Sequence, residues 1–157
     1  MSNYNSIPDT PVRKAFVSAL DPVGIPIYDM EVPKSVDVPG SYILMTTQTN
    51  SQADTSKCGH NWWHSILLDV VSVQDQGYVD RSVLDGICDS INQIIDTLDS
   101  IGIPGFVVYN TQVIDTHDMT LTTQTKIISR KLMRYQFLLG PKTVNNGFNY
   151  TLPFILS

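Results

Sequence analysis

From Thr10 onward, Val12, Ala15, Phe16, Ala19 and Leu20 fall on one side of a helical turn. This stripe predicts a short helix. Asp9 or Thr10 is placed to cap it, with Pro11 at its first position, where a missing N–H costs nothing. Asp21-Pro22 ends it. The stretch from Ile25 to Pro39 contains Pro26, Pro33 and Pro39, which forbid a helix and disfavour a central strand. Only short extended pieces such as Ile27-Tyr28 fit there. After Pro39-Gly40, the run Ser41 to Gln48 (SYILMTTQ) predicts a strand.

Residues 49–60 (TNSQADTSKCGH) hold almost nothing apolar and predict a long, mobile loop, well above the usual ~4–6 residues. Asn61 to Gln74 is the longest strand candidate. Trp62, Ile66, Leu68 and Val70 lie on one face, and Trp63, Leu67, Val71 and Val73 on the other. A strand apolar on both faces belongs in the middle of a sheet or under a partner. The clearest helix runs from about Asp80 to Asp99, with Val83, Leu84, Ile87, Cys88, Ile91, Ile94, Ile95 and Leu98 at helical spacing. Asp85, Asp89, Asn92, Asp96 and Asp99 occupy its other face. Phe106 to Asp115 predicts a strand, His117 to Gln124 its turn, and Lys126 to Leu139 a long return strand.

The order helix, strand, strand, helix, strand, strand predicts an α+β fold. In it, a small, mostly antiparallel sheet carries two helices packed on one face. Residues 1–9 form an N-terminal arm, residues 10–141 one domain, and residues 142–157 a C-terminal arm. The 157 residues suffice for a single core without disulfide or metal staples.

Charge is uneven. Net charge is −5, and fourteen of the fifteen acids are Asp, with Glu31 the exception. Half of the ten basic residues, namely Lys126, Arg130, Lys131, Arg134 and Lys142, lie in the last thirty-two positions. On a strand, Lys126, Arg130 and Arg134 share a face. In a homo-oligomer, the helix acids Asp85, Asp89 and Asp96 of one copy could meet that basic strand of the next. An acidic chain is a poor general nucleic-acid binder. No run approaches the ~18 apolar residues of a membrane span, and nothing at the start has the order of a secretory leader.

Candidate chemistry is sparse. Cys58, His60 and His64 invite a zinc reading, but a strand separates His60 from His64 by roughly 13 Å, and a fourth ligand is missing. Asp115-Thr116-His117-Asp118 is explained by local hydrogen bonding in a turn. No nucleophile elbow, phosphate loop or zinc-protease motif occurs. Cys58 and Cys88 are expected as reduced thiols. We therefore expect no enzyme, no cofactor and no metal.

Several stretches together resemble a known family. They are the capped helix Thr10–Leu20, the PIYD element Pro26–Asp29, the proline-rich approach VPKSVDVPGS to the strand YILMTTQ, the segment Thr55–Lys57, and the strand WWHSILLDVVSV leading into a helix near Tyr78-Val79-Asp80. In order and texture this is similar to the phage tail-terminator or tail-completion family and related head–tail joining proteins, over roughly Pro11 to Leu139. The resemblance implies a structural virion protein, assembled in the host cytoplasm, that forms a six-fold or twelve-fold ring at the tail terminus or neck. Its neighbours would be portal, neck or tail-tube proteins, with passive contact to DNA in the lumen and none with membrane. The expected interface residues are Asp85, Asp89, Asp96, Lys126, Arg130 and Arg134, with Phe148, Tyr150, Phe154 and Ile155 of the arm reaching a neighbour. A monomeric adaptor taking a peptide at a sheet edge, and a small hydrolase with a scattered site, remain open alternatives.

Overall fold

The computed structural model describes residues 7–37, 39–53, 61–77, 80–96 and 102–142. Five strands form one sheet in the order β1-β2-β3-β5-β4: β1 is Ile27–Asp29, β2 Ser41–Gln52, β3 Trp62–Asp75, β4 Phe106–Thr122 and β5 Lys126–Pro141. The β1–β2 pair is parallel and the other three are antiparallel. Helices α1 (Asp9–Leu20) and α2 (Arg81–Asp96) share one core cluster with a single face of this sheet. The expected α+β architecture is therefore what the chain adopts, and β3 is central as its two apolar faces require.

The core is built from Val12, Ala15, Phe16 and Leu20 of α1 and Leu84, Cys88, Ile91 and Ile95 of α2. They meet Ile43, Met45, Ile66, Leu68, Val70, Met133, Tyr135, Phe137 and Leu139 of the sheet. The Phe16 ring packs edge-on against Phe137 at 5.5 Å and tilted against Tyr135 at 6.4 Å. Ile87 and Ile94, both members of the predicted α2 stripe, are only partly buried. The stripe is rotated toward Cys88 and Ile95.

Several boundaries differ from the sequence expectation. Helix α1 begins one turn before Val12, whose N–H donates to the Pro8 carbonyl, and neither Asp9 nor Thr10 caps it. Asp80 does cap α2, accepting from the Ser82 N–H at 2.9 Å. Strand β2 continues through Thr49–Gln52, because it stays paired with β3 across a bulge between Met45 and Gln48. The first part of the expected loop is thus strand, while residues 54–60 lie outside the described ones. The largest correction concerns β4. It runs to Thr122 and turns only at residues 123–125, so Asp115-Thr116-His117-Asp118 is ladder, not turn. Long pairing with β5 overrides the turn preference of Asp and Thr. Lys126 Nζ pairs with Asp75, which closes this end of the sheet.

Candidate subunit interface

Strand pairing fixes what the face of the sheet away from the helices displays. Reading across β2, β3, β5 and β4, one row holds Thr49, Ser65, Gln136 and Gln112; beyond the row of Leu67, Arg134 and Asp115, the next hold Leu44, Asp69, Leu132 and His117, then Tyr42, Val71, Arg130 and Met119. The row nearest β2's end is polar, with Gln112 Nε2 donating to Gln136 Oε1 at 2.7 Å. The rows nearer the β4–β5 turn are more apolar.

Within this face sits a buried carboxylate. Asp69 is fully buried and is held by the guanidinium of Arg130, whose Nε lies 3.2 and 3.1 Å from the two carboxylate oxygens. A charge in that setting persists only when paired and hydrogen-bonded. Tyr42 stands close by, and burial, then the Asp69 charge, pushes its phenol above the ordinary value while Arg130 pulls it down.

The basic strand residues are distributed as the alternation requires. Lys126, Arg130 and Arg134 share the face away from the helices. Lys126 and Arg130 are already paired within the chain, with Asp75 and Asp69. Arg134 lies opposite Leu67 and Asp115 and makes no ion pair among the described residues. Lys131 points to the helix side, where its Nζ lies 2.8 Å from Asp85 and 3.6 Å from Asp118. One lysine thereby fastens α2 to the β4–β5 hairpin, and its ammonium holds the Asp85 carboxyl below the usual range. So the meeting of helix acid with strand base occurs inside one subunit at this point. Asp89 and Asp96 remain exposed on α2. Phe148, Tyr150, Phe154 and Ile155 lie outside the described residues, as do Cys58 and His60.

Edge strand β4 is the feature that sequence reading left out. It pairs only with β5, and its outer edge is open among the described residues. Val107, Tyr109, Val113, Ile114, Met119 and Leu121 are all exposed, Tyr109 by 59% and Leu121 by 58%. Sheet edges are commonly blunted by Lys, Pro, bulges or a covering element. β4 has bulges after Val108 and Val113 and the acids Asp115 and Asp118, but no Lys, Arg or Pro. The signal was present as a seventeen-residue run, FVVYNTQVIDTHDMTLT, free of lysine, arginine and proline. Asp69 was also legible as the lone charge within ILLDVV, which demands a partner.

No family model matches the chain, and no curated protein matches it. A solved structure does. The same fold occurs in a virion. That neighbour is a chain of a structure described as the virion of a native gene transfer agent particle, at 13% identity and a TM-score of 0.60. The alignment covers 85% of this chain and 91% of that one. At such low identity the likeness is one of fold.

The remaining chemistry is quiet. Among the described residues no three His, Cys, Asp or Glu side chains are grouped to hold a metal ion. Cys88 is buried and unpaired, and burial pushes its thiol up to about 11. No described helix is long and apolar enough to cross a membrane.

Proposed function

We propose that this chain is a structural subunit of a tailed-phage-like particle and joins copies of itself into a ring at the tail terminus or neck. The observation that carries this reading is the apolar β4 edge, open among the described residues, on a fold also found in a gene transfer agent virion. A strand edge presents unpaired N–H and C=O groups that a neighbouring subunit can satisfy. The ring is six-fold or twelve-fold, and it abuts portal, neck or tail-tube proteins. The role is architectural rather than enzymatic. DNA in a lumen would meet a subunit of net charge −5 whose cations Lys126, Arg130 and Lys131 are paired in cis, so its contact is passive.

Light scattering combined with negative-stain imaging tests this directly. The expected result is rings, and their loss in Val113→Lys or Met119→Lys with an unchanged melting temperature. These two side chains are exposed, so the substitution leaves the core intact. A wild-type chain that stays monomeric both alone and with its particle partners overturns the reading. If it then binds an extended peptide along β4, it is an adaptor instead.

A further inference from the structure

We propose that His64 is a proton-operated latch: neutral, it holds the first turns of α1 on the sheet, and protonated, it releases them. His64 lies on β3, fully buried. Its Nδ1 is 2.6 Å from Asn50 Oδ1 and its Nε2 is 3.1 Å from Gln48 Nε2. Both amides are pinned from α1. Gln48 Oε1 accepts from Arg13 Nε at 3.0 Å and Nη2 at 2.6 Å, so its NH₂ must face the ring, and that nitrogen also donates to the Asp9 carbonyl at 3.0 Å. Asn50 Nδ2 donates to Asp9 Oδ1 at 2.5 Å, so its oxygen faces the ring. The only consistent assignment is a neutral imidazole with its proton on Nδ1, accepting at Nε2.

A second proton has nowhere to go. Placed on Nε2, it meets the Gln48 amide N–H. Turning Gln48 over supplies an acceptor there but sets its NH₂ against the Arg13 guanidinium, donor against donor. Either way the chain Arg13–Gln48–His64–Asn50–Asp9 breaks, and what it ties down is the start of α1. Val12, fully buried between Asp9 and Arg13, would be uncovered. Phe16 and Leu20 would still anchor the rest of the helix.

Of the charged groups on the packed elements, Asp9 opposes release. From α1, its Oδ1 lies 3.7 Å from Nδ1 and favours the charged ring, while Arg13 reaches the ring only through Gln48. Asp29 of β1 is engaged by Arg13 at 2.9 Å. β2 contributes neutral amides, and β5 contributes Phe137 as the ladder neighbour. Burial outweighs Asp9 and lowers the ring to about 4 from 6.5. A group lowered on docking stabilises the docked state above its free pKa. That contribution is complete above about pH 6.5 and is lost as pH falls toward about 4, a weakening on the order of 10²-fold in the docking equilibrium.

Imidazole and amide NMR on the full chain tests the latch. At pH 7 His64 should show the less common Nδ1–H tautomer. On acidification the Val12 and Arg13 amides, the first that the helix bonds, should lose protection in step with His64, while the β3–β5 ladder stays protected. His64→Gln should abolish that step. Gln48→Glu gives the charged ring an acceptor and keeps one for Arg13 while giving up the bond to the Asp9 carbonyl, so there His64 should titrate at higher pH than in wild type. An Nε2–H tautomer at pH 7, α1 amides that ignore the titration, a step that survives in His64→Gln, or a His64 that titrates no higher in Gln48→Glu overturns the proposal. If His64→Gln does not fold, the tautomer and the Gln48→Glu titration decide.

Discussion

Arg130→Met removes the partner of a carboxylate that cannot reach water. Asp69 is fully buried, whereas the Arg130 side chain is 37% exposed. Breaking one side of a buried pair typically costs about 3–5 kcal/mol, most of it the penalty of the charge left behind. Water can enter where the guanidinium stood, so the lower end, about 3 kcal/mol, is expected. For a domain of this size that is roughly 6–12 °C in melting temperature. Asp69→Leu with Arg130→Met is the informative control. Its leucine would stand in a row that already holds Leu44 and Leu132. The double variant should return to within about 1 kcal/mol of wild type, because the stranded charge is gone. Urea unfolding followed by far-UV circular dichroism measures both. A single variant that loses less than about 1 kcal/mol, or a double variant as unstable as the single, refutes the argument that Asp69 depends on Arg130.

Ile91→Ala, at a fully buried core position, should lose about 2–5 kcal/mol in the same assay, whereas Asp89→Ala, exposed on the opposite face of the helix, should stay within about 0.5 kcal/mol. Cys88, buried with its thiol raised to about 11, should resist a thiol reagent at pH 8 until the chain is unfolded; fast labelling in the native protein would contradict that burial. A Cβ on Gly140 would lie 2.5 Å from Tyr109 Cε2 and 2.7 Å from Asn61 Oδ1. Gly140→Ala should therefore displace the Tyr109 ring from β5, and Gly140→Ala with Tyr109→Ser should recover part of the lost melting temperature.

Much of the fold was legible because burial writes a period into the sequence. The helical stripes of α1 and α2, the two-faced apolarity of β3 and the alternation of Lys126, Arg130 and Arg134 each follow from one residue's distance to the next. Those local repeats determined the element order, the α+β class and the central place of β3. They could not determine what depends on contacts distant along the chain. The turn after β4 was misplaced because Asp and Thr prefer turns locally, yet pairing with β5 holds Asp115 to Asp118 in a ladder. Lys131 was one member of a basic cluster until the packing of α2 set Asp85 against it. His64 was a strand histidine among others until α1, some fifty residues earlier, brought Asp9 and Arg13 to the amides of β2. The β4 edge belongs to the same class: its residues are in the sequence, but that no strand among the described residues lies beyond them is a property of the sheet's order. Hydrophobic periodicity is local and survives in one dimension, whereas ion pairs, buried networks and free edges are relations between segments that only the folded chain brings together.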